Sequence, residues 1–326
     1  MTLTITALTK KGFVLAADSR ATRPAVIQIP GLKSEDELSR AGINDLYCKV
    51  LPIGCYAGVT IAGNLSLVKP KEGVIGAPES LADIEQYDLQ QVIEEYGRSV
   101  TGNENVGVLV KELYEAIMSK TNIEWRLERL AELHAQLING MDGTFFGGKV
   151  KGIKINKDVD IPNIEITYST NFESERTDVI PFQPTNLTVA AYSMDSPWFS
   201  VLSIPSGKND WSDGDIISTG SGSEFVNKIF SRSAIVPEDS NGKLFATCPY
   251  FNEHKIDWSK LSLEEAIELI EATIKYTALI QRMSVTAKYE YLEIPPSINS
   301  EVTVATIDRE KGFVYVKAPK KTEVTI

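Results

Sequence analysis

Histidine and cysteine are scarce in this chain. Among 326 residues there are two histidines, His134 and His254, and three cysteines, Cys48, Cys55 and Cys248. Two histidines give little support to a Ser-His-Asp or Cys-His triad, or to a histidine-rich metal site. Three cysteines without paired spacing suit a reducing compartment and argue against a disulfide framework or a zinc site. We therefore expect no metal and no cofactor.

Long apolar runs and clusters of basic residues are missing too. No apolar run approaches the length needed to cross a membrane, and the chain does not open on a basic segment followed by an apolar one. Its 33 Lys and Arg residues are outnumbered by 44 Asp and Glu residues, which gives a formal net charge of −11. A nucleic-acid-binding surface needs clustered Lys and Arg, so the acidity indicates a solvated surface. These absences predict a cytoplasmic protein that binds neither membrane nor nucleic acid.

The hydrophobic residues, 43% of the chain, are spaced as strands and helices. Residues 216–220 are predicted as a strand that runs through a glycine-serine turn into a helix, and Pro52 to Gly54 are placed in a connection between strands. Alternating or continuous apolar runs between turn residues predict four strand pairs. These pairs are residues 2–8 with 13–17, 47–51 with 58–62, 187–191 with 199–202, and 302–308 with 313–317.

Helical spacing recurs in residues 80–99, 106–137 and 262–283. Ser262 is predicted as the N-cap of the last helix, with Glu265 completing a capping box. The order ββ-αα-ββ-α-ββ predicts a single α+β domain over residues 1–326, in which two antiparallel sheets lie between helix layers. Two polar or irregular segments, approximately 23–46 and 120–186, are interpreted as insertions in that domain.

Thr2 follows Met1 and opens the first predicted strand. If Met1 is removed, which a small residue at position 2 permits, Thr2 carries a free α-amine beside its own hydroxyl. An amine with an ordinary pKa of about 8 can take the proton of the hydroxyl at neutral pH, so one residue can be both nucleophile and base. The alternative is a β-branched residue that does no more than begin a strand.

Several segments carry a resemblance to a known family. They are Thr2–Ile5 (TLTI), Phe13–Thr22 (FVLAADSRAT), Lys49, Val59–Gly63 (VTIAG) and Ser218–Ser223 (STGSGS). Together they resemble the proteasome β-subunit family with its bacterial relatives, which are N-terminal-nucleophile hydrolases. The resemblance covers the first 22 residues, about 47–66, about 187–230, and 261 to the end. It implies a four-layer αββα sandwich, a peptide or protein substrate, and a homo-oligomer.

The resemblance also implies catalytic roles. Thr2 matches the nucleophile, whose hydroxyl attacks a peptide carbonyl and forms an ester. Lys49 matches the active-site lysine and Asp18 its acidic partner; the ammonium would lower the pKa of the amine, and Asp18 would hold the ammonium in place. Ser221 matches a serine that relays protons near the amine. Gly63 matches the glycine whose N–H forms the oxyanion hole.

Substrate-binding and supporting roles follow from the same comparison. Ala21 and Ile61 match residues that line the pocket for the substrate side chain, and both are apolar, which favours an apolar or small residue before the scissile bond. Thr22 and Gly63 match positions whose backbone pairs with an extended peptide. Arg20 is a supporting residue.

Simpler readings stay open for four of these positions. Lys49 could be an exposed strand lysine, Gly63 an ordinary turn glycine, and Ile61 a core residue. The segment Gly220–Ser223 could cradle a phosphate before a helix, although it lacks the lysine of the P-loop pattern.

One segment departs from the family pattern. The family places an acidic residue, a serine and paired glycines between its last helix and the strand matched here by residues 302–306. This chain has Ile294–Glu301 (IPPSINSE) instead, with no acid at the matching position, and either Ser297 or Ser300 could supply the serine.

Three functions are therefore expected, in order of preference. The first is a threonine peptidase or amidase that acts through Thr2. The second is a peptide ligase or transpeptidase on the same scaffold, in which an amine and not water resolves the ester. The third is a non-catalytic relative that binds partners as proteasome α-subunits do.

Overall fold

The computed structural model describes most of the chain. The described residues are 2–22, 43–44, 47–73, 83–101, 104–140, 148–170, 175–182, 184–193, 196–211, 215–220, 256–288 and 300–319, with 223, 226, 230 and 298 singly. Within them the protein is a mixed α+β structure with several antiparallel sheets and four α-helices of defined bounds. No described helix is both long and apolar enough to cross a membrane.

The strands and helices are numbered in chain order. The strands are β1 (Leu3–Thr9), β2 (Gly12–Asp18), β3 (Ala21–Thr22), β4 (Ile43–Asn44), β5 (Val50–Ile53), β6 (Ala57–Ala62), β7 (Ser66–Pro70), β8 (Ile84–Asp88), β9 (Gly148–Asn156), β10 (Asn163–Thr170), β11 (Arg176–Pro181), β12 (Thr185–Ser193), β13 (Ser196–Ile204), β14 (Asn209–Trp211), β15 (Ile216–Gly220), β16 (Val302–Asp308) and β17 (Gly312–Lys317). The helices are α1 (Leu89–Ser99), α2 (Val106–Met118), α3 (Ile123–Gly140) and α4 (Leu263–Lys288).

Two five-stranded antiparallel sheets hold most of these strands. Sheet A has the order β15-β1-β2-β16-β17, and sheet B has the order β14-β13-β12-β6-β5. The four predicted strand pairs are confirmed as β1 with β2, β5 with β6, β12 with β13, and β16 with β17. Pro52 and Ile53, predicted in a connection, lie instead in β5. A proline is tolerated there because β5 is an edge strand.

Helix boundaries differ from the prediction in two places. Residues 84–88 were expected to be helical but form β8, which pairs with β7, while residues 80–82 lie outside the described part. Helix α1 begins only at Leu89, because the Asp88 side chain accepts from the Gln90 amide at 2.8 Å and caps it. The helical stretch 106–137 is two helices, since Asn122 accepts from the Trp125 amide at 3.0 Å and starts α3.

The start of α4 follows the prediction. The Ser262 amide donates to the Glu265 carboxylate at 2.8 Å, and the Glu265 amide donates to the Ser262 hydroxyl at 3.2 Å. These reciprocal bonds form the expected capping box.

Three apolar clusters show how the sheets and helices pack. One joins sheet B to α1 and α2, and includes Val59, Leu187 and Leu113. Another joins sheet A to α4, and includes Ile5 and Ile270. The third lies between the two sheets and contains Phe13, Leu15, Val50, Phe199 and Ile307. This third cluster therefore takes side chains from both sheets.

A smaller unit has its own core. Helix α3 packs on the sheet β11-β10-β9 through Leu127, Ala131, Ile164, Ile166 and Tyr168. This unit falls within the predicted insertion at 120–186. Of the other predicted insertion, 23–46, the structure describes only residues 43–44, which form β4 and pair with β3. The division into one domain with two insertions stays a prediction.

Candidate functional site

Asp18 and Lys49 form an ion pair with no exposed side-chain surface. Asp18 ends β2 and Lys49 immediately precedes β5, and the lysine Nζ lies 3.3 Å from Asp18 Oδ1 and 3.4 Å from Oδ2. Both side chains are 0% exposed. The ammonium also donates to the carbonyl of Arg20. Because Lys49 is buried and paired, the reading of an exposed strand lysine is wrong.

The Asp18 carboxylate also accepts two backbone N–H groups. The Leu3 amide donates to Oδ1 at 2.8 Å, and the Arg20 amide donates to Oδ2 at 3.0 Å. Burial raises the pKa of Asp18, and the Lys49 ammonium and the two amides oppose that rise. Oδ1 of Asp18 therefore contacts both the Lys49 ammonium and the amide of Leu3, the residue directly after Thr2.

Thr2 directly precedes β1 and is 2% exposed. The end of β15 approaches it closely: a methyl group on Gly220 would lie 1.8 Å from the Thr2 carbonyl oxygen and 3.2 Å from the Ala62 Cβ. Gly220 also has a φ of +92°, which side chains rarely adopt. The ends of β1, β15 and β6 therefore meet at Thr2. Met1 lies outside the described residues.

Gly63, the expected oxyanion glycine, follows β6 directly. It is exposed and has a φ of +124°. An added methyl group would lie 2.7 Å from the Pro184 carbonyl oxygen and 2.8 Å from the Thr185 Cα. Backbone geometry and packing thus explain this glycine whether or not its N–H contacts a substrate.

The other substrate-binding candidates divide into two groups. Ile61 is 0% exposed and belongs to the cluster between sheet B and its helices, which favours the core role that the sequence left open. Ala21 and Thr22 form β3, which pairs with β4, and their side chains fall outside what the structure describes. Arg20 supports the site through its backbone, by its amide to Asp18 and its carbonyl to Lys49.

The serine candidates are only partly described. Ser300 is exposed just ahead of β16. Ser221 and Ser297 lie outside the described residues, so the expected glycine-serine turn and its phosphate-cradle alternative are not placed. No group of three or more His, Cys, Asp and Glu side chains within the described ranges is arranged to hold a metal ion.

Sequence reasoning missed several contacts around Thr2. It did not identify the Leu3 amide as a donor to Asp18, or Gly220 as a close neighbour of Thr2. It also missed a hydrogen bond between the hydroxyls of Thr4 and Thr219, whose oxygens are 2.7 Å apart. The Ser19 amide also donates to the Glu301 carbonyl at 3.0 Å. This bond joins the end of β2 to the start of β16, beside the ion pair. Only the position of Gly220 at a strand-to-turn junction offered a signal in the sequence.

Comparisons with known proteins add little. No protein-family model matches the sequence, and no curated protein matches it. Among solved structures, the Anbu (Gly-1) mutant from Hyphomicrobium sp. strain MC1 is similar at 13% sequence identity and a TM-score of 0.44, over 98% of this chain and 90% of that one. A likeness of that size does not identify a family.

Proposed function

We propose that this protein is an N-terminal threonine hydrolase, a peptidase or amidase that acts through Thr2 after Met1 is removed. The observation that carries the proposal is the fully buried Lys49–Asp18 pair, whose carboxylate also binds the amide of Leu3. Removing two charges from water costs several kcal/mol per ion, by order of magnitude, and their attraction offsets this only in part. A buried pair beside the start of the chain is therefore better explained by chemistry at Thr2 than by stability.

The proposed reaction has two stages. The Thr2 α-amine takes the proton of the Thr2 hydroxyl, the oxygen attacks a peptide carbonyl, and an ester forms as the leaving amine accepts the proton. Water then resolves the ester. The Lys49 ammonium would keep the amine uncharged at neutral pH by lowering its pKa, and Asp18 would fix the position of the ammonium.

The remaining roles are assigned from the sequence resemblance. The Gly63 N–H would stabilise the oxyanion, and Ser221 would relay protons near the amine. Ala21 and Thr22 would contact an extended peptide, and either Ser297 or Ser300 would support the amine. The proposal includes a peptide or protein substrate, a homo-oligomer and a cytoplasmic location.

The proposed fold is the four-layer αββα sandwich of N-terminal-nucleophile hydrolases. Its support is the packing of sheets A and B against each other through one apolar cluster, with two further clusters joining α4 to sheet A and α1 and α2 to sheet B.

Mass spectrometry tests the proposed function. We expect purified protein to lack the mass of Met1 and to gain one adduct from a peptide epoxyketone, an electrophile that reacts with N-terminal threonines. Thr2→Ala should abolish the adduct and Thr2→Ser should keep it. Thr9→Ala, at the opposite end of β1, is the matched control and should label like the wild type.

An intact methionine together with no adduct would contradict the proposal. The non-catalytic alternative would then be preferred.

A further inference from the structure

Lys49 belongs to a short segment, residues 47–49, that directly precedes strand β5. Because the segment lies outside the strand, a continuous ladder of hydrogen bonds does not set its position. Its backbone is held at each end by one bond: the Tyr47 amide donates to the Ser19 carbonyl at 3.0 Å, and the Lys49 carbonyl accepts from the Ile61 amide at 2.9 Å. The position of the Lys49 ammonium therefore depends on a few separate contacts.

The side chain of Tyr47 makes a further contact, with the start of helix α1. Its hydroxyl donates to Asp88 Oδ1 at 2.5 Å and accepts from the Gln90 amide at 3.3 Å. Tyr47 is 8% exposed, and burial, together with the bond to Asp88, raises the pKa of its hydroxyl. The hydroxyl therefore stays protonated at neutral pH and donates to a carboxylate, which makes a stronger bond than one between neutral groups.

Asp88 lies where β7, β8 and α1 meet. It ends β8, where it is the cross-strand partner of Ser66 in β7, and its side chain caps α1 by accepting from the Gln90 amide at 2.8 Å. The next residue, Leu89, is 1% exposed and packs in the cluster between sheet B and its helices. The hydroxyl of Tyr47 thus connects the segment of Lys49 to a buried part of the fold.

Packing and helix capping do not explain this hydroxyl. A phenylalanine would fill the same space as Tyr47, and Asp88 already accepts from the Gln90 amide without it. What the hydroxyl adds is a directional link to a residue that touches the backbone on both sides of the buried ion pair. Tyr47 is two residues from Lys49, and its amide bonds to the residue directly after Asp18.

We propose that Tyr47, anchored by Asp88, is a positioning residue that holds the Lys49 ammonium in place beside Asp18. The importance of that position for catalysis rests on the proposed function, in which the ammonium keeps the Thr2 amine uncharged. Tyr47 takes no part in the reaction itself. Without its hydroxyl, the segment 47–49 loses one of its contacts and the ammonium moves. The pKa of the amine then rises toward its ordinary value.

The pH dependence of Thr2 labelling by a peptide epoxyketone tests the effect on the amine. We expect Tyr47→Phe to slow labelling at about pH 7 by roughly 5- to 50-fold, less than the ~100-fold that a misplacement of about 1 Å can cost. The rate should approach that of the wild type near pH 9, where the amine is largely uncharged in both proteins.

Tyr96→Phe is the matched control for Tyr47→Phe. The Tyr96 hydroxyl donates to the Leu109 carbonyl at 3.0 Å and so joins α1 to α2, and no bond of this hydroxyl leads to the segment of Lys49. Its removal should leave the pH dependence of labelling unchanged. If Tyr47→Phe labels like the wild type at every pH, or is slowed equally at pH 7 and pH 9 (roughly one unit either side of the amine pKa), the positioning role is overturned.

Two variants of the anchor separate its hydrogen bonds from its charge. Asp88→Asn keeps an oxygen that can accept from the Tyr47 hydroxyl and the Gln90 amide, so it should label like the wild type. Asp88→Ala removes that oxygen and should reproduce the pH dependence of Tyr47→Phe. Labelling of Asp88→Ala that matches the wild type at every pH would overturn the role of the anchor.

A crystal structure of Tyr47→Phe tests the position of the ammonium without any substrate. We expect Lys49 Nζ to leave hydrogen-bond distance of at least one Asp18 oxygen, while the wild type and Tyr96→Phe keep both contacts. Unchanged contacts in Tyr47→Phe would overturn the inference.

The two proposals fail in different ways. If the wild type is never labelled at Thr2, the proposed function is wrong, and the crystal structures still decide whether Tyr47 positions Lys49. If the wild type is labelled but Tyr47→Phe changes neither the pH dependence nor the contacts of Lys49, the proposed function stands and this inference is wrong.

Discussion

The region around Thr2 and the unit formed by α3 and the sheet β11-β10-β9 place their charges differently. At Thr2, the paired side chains of Lys49 and Asp18 are both 0% exposed. In the smaller unit, Lys157 and Glu124 approach to 2.8 Å, yet their side chains are 48% and 59% exposed. An exposed pair keeps its hydration and contributes little, whereas a buried pair has lost it and depends on its partner.

The two regions also differ in how they bury apolar groups. In the smaller unit, alternate residues of β10 pack on α3, as in an ordinary half-buried sheet. Around Thr2, strand β1 buries the hydroxyl-bearing side chains of Thr4 and Thr6 as well as apolar ones. Of the two ion pairs, only Lys49 and Asp18 are fully buried, and burying two charges costs free energy even when they are paired.

Removing the lysine of the buried pair should have the largest effect. Lys49→Met leaves Asp18 buried without a counter-charge, and we expect a loss of about 3–5 kcal/mol in the free energy of unfolding. Adding Asp18→Asn should recover part of that loss. Lys157→Met is the matched control and should change stability little. Urea denaturation of the wild type and these three variants measures the free energies of unfolding. Equal losses in Lys49→Met and Lys157→Met would contradict the difference between the buried and the exposed pair.

The same variant should change the dependence of stability on pH. Without the ammonium, burial raises the pKa of Asp18 further above its unfolded value, so the folded state holds the proton more strongly. Stability should therefore fall as the pH rises from about 4 toward neutral, and it should fall more steeply than in the wild type. A stability that rises with pH over this range would contradict the assigned direction.

Truncating a core side chain of the smaller unit should cause the next largest loss in the free energy of unfolding. Ile166 is 0% exposed, and Ile166→Ala should cost about 2–5 kcal/mol in the free energy of unfolding. Ile153, its cross-strand partner, is 43% exposed, so Ile153→Ala should cost less. Labelling of Thr2 should persist in both variants under folding conditions. A loss of labelling in folded Ile166→Ala would show that the two regions are coupled.

Part of the architecture could be predicted from the sequence because it depends on local patterns. Apolar runs and turn residues identified four of the antiparallel strand pairs, and Ser262 with Glu265 identified the start of α4. The helix predicted over residues 84–88 is wrong, because Ile84 and Tyr87 fit helical spacing while the strand depends on its distant partner β7. The break at 119–122 depends on one capping asparagine.

The candidate site, too, could be predicted only in part. The resemblance identified Asp18 and Lys49 as a pair, and the structure brings them together. The approach of Gly220 to Thr2 and the hydrogen bond between Thr4 and Thr219 depend on how strands distant in sequence pack, which local spacing does not encode.

A smaller effect is expected from a methyl group at Gly220. Gly220 and Gly73 have similar φ angles, +92° and +89°, but Gly73 has nothing within 4 Å of an added methyl group. Gly220→Ala should therefore cost about 1–3 kcal/mol more than Gly73→Ala, because of the contact with the Thr2 carbonyl. It should also slow the labelling of Thr2. Equal losses of stability in Gly220→Ala and Gly73→Ala, measured by thermal unfolding, would indicate that Gly220 does not lie in close contact with the Thr2 carbonyl.

The mildest test uses the wild-type chain. Cys48 is buried next to Lys49, and burial raises the pKa of its thiol, whereas Cys55 is exposed. Iodoacetamide should therefore modify Cys55 well before Cys48, because the thiolate is the reactive form. Peptide mass spectrometry over time measures both rates. Early modification of Cys48 would mean that the packing between sheet B and its helices opens to solvent.

The central claim is that one residue supplies both the nucleophile and the base beside Lys49. A crystal structure of the protein after reaction with a peptide epoxyketone tests it most directly. We predict electron density for an adduct bonded to both the α-nitrogen and Oγ of Thr2, with the Lys49 ammonium beside it. An adduct on any other residue, or a Thr2 still linked to Met1 and unmodified, would contradict the account.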